Sequence, residues 1–149
     1  MIKKILLFIW QLPQNIIGFF LTRKPVQTLN QFLLNDGKII KVYFTKNVFN
    51  CGISLGNYIV LDYDIYYKGC LYRDREYVYT VNHEHGHQKQ SLYFGWLYLL
   101  FIGLPSVCGN VWDRVFHKKW KNRDRVKWYY SKLIWEKWAD KLGEVNREL

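Results

Sequence analysis

Residues 81–90 read VNHEHGHQKQ, and three of the chain's four histidines fall within five positions of that stretch. On a helix, His83 and His87 share one face, a turn apart. His85 is two residues from each and falls on the opposite side, so it is expected to be a solvated surface histidine. The pair that shares a face frames Glu84 in the order H-E-x-x-H. Two imidazoles at that spacing can bind one zinc ion through their neutral ring nitrogens. The glutamate beside the first histidine stays off the metal, faces the water held there, and takes its proton as that water attacks a carbonyl.

Around this motif the chain has 149 residues, half of them hydrophobic and 19% aromatic. That length fits one domain with a real core, and the composition excludes a disordered chain. Lysine and arginine total 22 against 12 acids, a net charge of +10. Such a balance favours an anionic partner, either nucleic acid or an acidic membrane surface. No nucleic-acid motif accompanies the charge, and the basic residues are scattered among aromatics, so nucleic acid is not expected. Cys51, Cys70 and Cys108 are far apart, odd in number and without a C-x-x-C pair. They read as buried free thiols in a reducing compartment.

Two stretches carry no Asp, Glu, Lys or Arg: residues 5–22, within an apolar N-terminal segment 1–24, and residues 91–112, SLYFGWLYLLFIGLPSVCGNVW. The first is interrupted by Gln11, Pro13, Gln14 and Asn15, with no signal-peptidase site after it. The second is long enough to span a bilayer, yet Gly95, Gly103, Pro105 and Gly109 break it. Basic residues flank both sides of each: Lys3 and Lys4 with Arg23 and Lys24, then Lys89 with Arg114, Lys118 and Lys119. A single crossing usually leaves an asymmetry in such residues. Their symmetry, with Trp and Tyr along the runs, predicts an interfacial or re-entrant placement at an anionic membrane.

Between these stretches, KIIKVYF (38–44) and NYIVLDY (57–63) read as strands, with TKN and SLGN as turns at their ends. YYKGCLY (66–72) reads as a short hairpin turning at Lys68-Gly69. A helix is expected over about 75–90. Another is expected over about 123–143, with Val126, Tyr129, Tyr130, Leu133 and Trp138 as its apolar stripe and Gly143 as its stop.

That last helix contains WEKWADKLG, in which Glu136 and Asp140 share a face four residues apart. A catalytic zinc takes three protein ligands and keeps one position open. Glu136 can be the third ligand. Asp140, one turn on, can accept the remaining N–H of a ligand histidine and fix its ring.

HEHGH followed by EKWAD resembles the gluzincin pattern, H-E-x-x-H then E-x-x-x-D. The alanine before Asp140 and the glycine before His87 are similar to the membrane-linked CAAX-protease and heat-shock-protease families and their small relatives, the minigluzincins. The resemblance rests on these two motifs and their order. It implies His83, His87 and Glu136 as ligands of Zn2+, Glu84 as general base and Asp140 as support. It also implies a peptide or protein substrate laid along an edge strand, for which NYIVLDY is the candidate. The metzincin pattern does not fit, because Gln90 and Tyr93 stand where it needs Gly and His. His117, Tyr129 and Tyr130 are open candidates for stabilising the oxyanion.

The motifs also constrain topology. A single crossing by residues 91–112 would put Glu136 on the far side of the membrane from His83 and His87. The expected architecture is therefore an α+β zincin-like mini-domain over residues 1–149. It has a small antiparallel sheet, an H-E-x-x-H helix, and a C-terminal helix carrying the third ligand. Residues 91–112 form a helical hairpin bent near Pro105, buried or dipped into one leaflet. The expected function is zinc-dependent peptide hydrolysis at a membrane surface, on the cytoplasmic side. The alternative is a small basic membrane-binding protein, a toxin or accessory factor, whose zinc is structural or absent. Substrate and oligomeric state are left open.

Overall fold

The computed structural model describes residues 2–23, 25, 27–46, 48, 52–72 and 74–147; Lys24 and Cys51 lie outside the described residues. Helices α1 (Ile2–Trp10) and α2 (Leu12–Leu21) precede strands β1 (Gln27–Leu33), β2 (Ile39–Thr45), β3 (Gly52–Leu55) and β4 (Tyr58–Asp62). Helices α3 (Tyr63–Tyr72) and α4 (Arg75–Phe94) follow. A 3-10 turn (Gly95–Leu97) and a π turn (Leu99–Gly103) lead into α5 (Leu104–Phe116), α6 (Asn122–Lys132) and α7 (Ile134–Leu142). The α+β class is as expected.

The sheet is mixed rather than antiparallel. Its order is β1-β2-β4-β3, with β2 and β4 parallel and the outer pairs antiparallel. The cause is the tight turn at Gly56-Asn57, where Gly56 takes φ 60°. It folds β3 back onto the outer side of β4. NYIVLDY is therefore an interior strand, and β3 is the edge. Phe32, Leu34, Val42, Phe44, Ile59 and Leu61 alternate onto one face of the sheet, where Tyr77 and Val81 of α4 cover them.

Residues 66–72 form no hairpin. Tyr63, Tyr66, Tyr67 and Cys70 pack against this core at helical spacing, and the Asp62 carboxylate accepts the Asp64 N–H at 2.8 Å where α3 begins. Packing outweighs the turn signal of one glycine. The C-terminal helix is likewise divided. Leu133 is extended (ψ 112°), and its side chain fills the space left by Gly109 of α5, 2.7 Å from where a Cβ would stand. Gly143 ends α7 as expected.

Helix α2 is polar inside and apolar outside. α1 buries no residue, and α2 buries Gln14, Asn15 and Gly18. Ser91 Oγ accepts hydrogen bonds from Gln11 Nε2 at 2.8 Å and Gln14 Nε2 at 2.9 Å. Ile5, Phe8, Ile9, Ile16, Phe19 and Phe20 are exposed. The same pattern continues after α4, where Leu92, Trp96, Leu100, Phe101, Leu104 and Val107 are exposed, so residues 91–112 are not a buried hairpin. Their sharp break is at Gly95 (φ 54°), where a side chain would overlap the Trp10 ring. Pro105 instead starts α5, where the wider π turn before it accommodates a residue without an N–H. The two regions are tied together: Trp10 Nε1 donates to the Leu92 carbonyl at 2.9 Å and Trp96 Nε1 to the Ile9 carbonyl at 2.7 Å. No single helix among the described residues is long and apolar enough to cross a membrane; α1 and α2 together have the length and composition but are bent by 85°. Of the described thiols, Cys70 is half-buried and Cys108 is exposed. The expectation of buried thiols fails at Cys108, which lies on this outward apolar face.

Candidate metal centre

Helix α4 carries the first motif. Asp74 caps it, its carboxylate accepting the N–H of Glu76 at 2.7 Å. The helix runs beneath the sheet and crosses α7, which carries the second motif. At the crossing the backbones touch: a side chain on Gly86 would overlap the Ala139 carbonyl, and one on Gly143 would overlap the Asn82 carbonyl. The glycine of HEHGH and the alanine of EKWAD thus allow two helices to approach closely enough to share a site.

At that point three buried groups meet. His83 Nε2 lies 3.0 Å and His87 Nε2 3.3 Å from Glu136 Oε2, and the ligand atoms all fall within 4.8 Å of one another. The outer nitrogens have other partners. His83 Nδ1 donates to Asp140 Oδ1 at 2.8 Å, and His87 Nδ1 to Gln90 Oε1 at 2.7 Å. Gln90 is oriented in turn by donating from Nε2 to the Trp135 carbonyl at 2.8 Å. With both Nδ1 protons turned outward, two ring nitrogens and a carboxylate oxygen face each other. Only a cation or added protons can sit between them. Ligands at 2.0–2.1 Å in a tetrahedral shell stand roughly 3.3 Å apart, close to the spacing of each histidine from Glu136. His83, His87 and Glu136 could therefore hold a metal ion.

The second oxygen of Glu136 is held away from that point. Oε1 accepts from Ser106 Oγ at 2.5 Å and Tyr129 Oη at 3.1 Å. Burial pushes the Glu136 carboxyl up, but hydrogen bonds from His83 and His87 outweigh it and hold it well below the usual carboxylate range. Burial would lower the His83 imidazole, but Asp140 and Glu136 push it up to about 9. A metal entering the site therefore displaces protons.

Glu84 is buried beside the ligands, and burial pushes its carboxyl up against the pull of His87 and His83. Its Oε1 lies 2.7 Å from where a Cβ on Gly52 would stand, so the edge strand needs glycine opposite this carboxylate. The Tyr98 hydroxyl donates to the outward Ser54 carbonyl on that edge at 3.2 Å. Glu84, the two histidines and Glu136 line a cavity of about 570 Å³, which β3, Ile17 of α2, and Leu104 and Val107 of α5 also border.

His83, Glu84, His87 and Glu136, the residues read from the two motifs, are gathered here, with Asp140 behind His83. His85 is not the expected surface residue. It is buried, with Nε2 3.2 Å from Asp36 Oδ2 and Nδ1 3.0 Å from Gln88 Oε1. The turn between β1 and β2 covers that side of the helix. Of the oxyanion candidates, Tyr129 is engaged with Glu136. His117 lies outside the cavity lining, with Nδ1 3.1 Å from Asp113 Oδ1. Tyr130 lines the cavity, edge-on to the His83 ring at 5.0 Å. Ser106, Gln90 and Gly52 were not anticipated as part of the site. Gln90 lies one helical turn beyond His87, a signal the sequence did carry; Ser106 stood in GLPS, which reads only as a break.

No family model matches the chain, and searches of curated proteins and of solved structures give no match either.

Proposed function

We propose that this chain is a zinc-dependent peptidase that works at a membrane surface, with a zincin-like arrangement of edge strand and helices. The observation that carries the reading is the convergence of His83 Nε2, His87 Nε2 and Glu136 Oε2 with Glu84 beside them on the same cavity. Nitrogen and oxygen donors in this number suit zinc, with a fourth position left for water or substrate. Bound there, zinc supplies a Lewis acid that polarises a carbonyl and makes water acidic. Glu84 would accept the proton of the attacking water and return it to the leaving amine.

The outer edge of β3 offers main-chain groups to an extended peptide, and Tyr98 must yield the Ser54 carbonyl for full pairing. Tyr130, which lines the cavity beside the His83 ring, is our candidate donor for the oxyanion.

The membrane part of the reading is supported by the exposed aliphatic and aromatic side chains of α1, α2 and residues 91–112, beside the buried Gln11, Gln14 and Asn15. Water disfavours such a surface and hydrocarbon does not. The indole N–H groups of Trp10 and Trp96 are already bonded to carbonyls, so both rings can enter hydrocarbon without losing a partner.

Metal analysis of the purified chain and a peptide-cleavage assay in lipid, run on wild type and Glu84→Gln, test the reading. One zinc per chain and hydrolysis that depends on Glu84 support it. Absence of zinc overturns it. Zinc with no hydrolysis leaves a membrane-binding protein with a structural metal.

A further inference from the structure

Beyond α7 the chain does not run off into solvent. Gly143 N–H bonds the Ala139 carbonyl at 2.8 Å and Val145 N–H the Asp140 carbonyl at 2.9 Å, with Glu144 between them at φ 56°. A non-glycine residue in that left-handed conformation is strained and persists where its surroundings enforce it. Here Asn35 Nδ2 holds the Glu144 carbonyl at 2.9 Å. The turn brings the last described residue, Arg147, back to the site.

The Arg147 side chain is 6% exposed. Its Nε donates to Asp140 Oδ2 at 3.0 Å, while Asp140 Oδ1 accepts His83 Nδ1–H at 2.8 Å. The two oxygens of one carboxylate thus take one partner each, and the guanidinium fixes the carboxylate that fixes the imidazole. The same guanidinium lies 3.6 Å over the Tyr130 ring, and that ring stands edge-on to His83 at 5.0 Å. Arg147 therefore touches both groups that flank His83.

Charge balance points the same way. Glu84, Glu136 and Asp140 bring three formal negative charges into one buried region. A divalent ion between neutral imidazoles offsets two of them, and Arg147 matches the third. Its planar fork suits both a carboxylate and an aromatic face, which a lysine ammonium does not reproduce.

We infer that Arg147 is a positioning residue of the metal centre, a latch from the C-terminal tail that sets the orientation of His83 through Asp140. The inference rests on the zinc-site reading above. Partners of this kind typically contribute 10–100-fold to metal affinity.

The test is zinc affinity by chelator competition on the full chain, for wild type, Arg147→Gln, Arg147→Lys, Asp140→Asn and the double variant Arg147→Gln/Asp140→Asn. Melting temperatures are measured alongside, without metal. Arg147→Gln should bind zinc about 10–100-fold more weakly, and Arg147→Lys should recover part of that loss. Because Arg147 acts through Asp140, the double variant should bind about as well as Asp140→Asn alone. Wild-type affinity in folded Arg147→Gln, whatever its melting temperature, overturns the inference, and so do losses that multiply in the double variant. If Arg147→Gln does not fold, the same cycle with Arg147→Lys and Asp140→Asn decides between these outcomes. A wild-type chain that binds no zinc removes the zinc reading and the latch together, a result distinct from the others.

Discussion

Gly86 and Ala139 meet backbone to backbone where α4 crosses α7, and the metal-binding geometry depends on that contact. A methyl group on Gly86 would overlap the Ala139 carbonyl, and neither backbone can rotate aside as a side chain could. Gly86→Ala must push the helices apart, moving Glu136 away from His83 and His87. Overpacking of this kind costs about 1–3 kcal/mol or more. Lower melting temperature together with lost zinc is expected from thermal melts and metal analysis; full zinc occupancy in the variant would contradict the crossing.

The ligand set makes graded predictions. The purified chain should hold about one zinc, as a single three-ligand site requires. His83→Ala, His87→Ala and Glu136→Ala should each lower occupancy sharply. Ser106→Ala and Tyr129→Phe release only the oxygen of Glu136 that faces away from the metal, so each should weaken zinc roughly 10-fold or more without abolishing it. His85→Ala should retain zinc, since its ring bonds Asp36 and Gln88 instead. Its cost should fall on stability. Equal zinc loss in His85→Ala and His83→Ala would show that the helix register is wrong.

The site was legible in the sequence because its geometry is local. His83, Glu84 and His87 lie on one helix, as do Glu136 and Asp140, and helical spacing alone groups them. What joins the two helices is also written there, as Gly86 and Ala139, though only the packing shows why those positions must be small. The sheet order was not legible. It depends on which side of β4 the hairpin at Gly56 falls, and that is decided by the distant helix α2, where Asn15 packs on Gly56 and accepts the Asn57 N–H and Gly18 leaves room for the Tyr58 ring. The depth of His85 was missed for the same reason: the turn at Asp36 that covers it is 49 residues away. Period alone could not say which face of α2 turns inward, because its polar residues are the buried ones.

Asp36 links that turn to the site helix and gives a pH dependence. Its carboxylate lies 3.0 Å from Lys89 Nζ and 3.1 Å from Lys38 Nζ, and Lys89 also donates to the Leu142 carbonyl at 2.8 Å. Burial pushes the Asp36 carboxyl up, but Lys89 and Lys38 outweigh it and hold it well below the usual range. A folded-state value below the unfolded one means stability that is present above about pH 4 and lost as pH falls further, since the unfolded chain then binds more protons. Melting temperature measured from pH 6 down to pH 2 should fall more steeply in wild type than in Asp36→Asn. Parallel curves would remove Asp36 from the account.

The exposed apolar side chains predict binding to vesicles, tighter with anionic lipid because Lys and Arg exceed Asp and Glu by 22 to 12. Phe20→Lys and Leu100→Lys put charge on the exposed apolar face and should lower vesicle partitioning while leaving zinc content unchanged. Digestion of vesicle-bound protein should reach the region before Tyr77 and the tail beyond Trp112 from the same side. Protection of one of them alone would be incompatible with a site shared by His83 and Glu136.

Glu84→Gln separates a peptidase from a membrane-binding protein with a metal. The amide matches the carboxylate in size, so it fits opposite Gly52, where the space for a Cβ ends 2.7 Å from Glu84 Oε1. Glu84 is not among the three groups that could hold the ion, so zinc content and vesicle binding should stay near wild type. The amide cannot accept a proton from attacking water, and loss of a general base typically costs on the order of 100-fold or more in rate. A peptide library presented to zinc-loaded wild type in lipid provides the substrate for the comparison, and kcat should fall while KM changes little. Cleavage by Glu84→Gln at the wild-type rate would assign the proton transfer to another group, with Tyr130 next to be replaced. Loss of zinc in Glu84→Gln would instead make the carboxylate a ligand and close the position that the substrate needs.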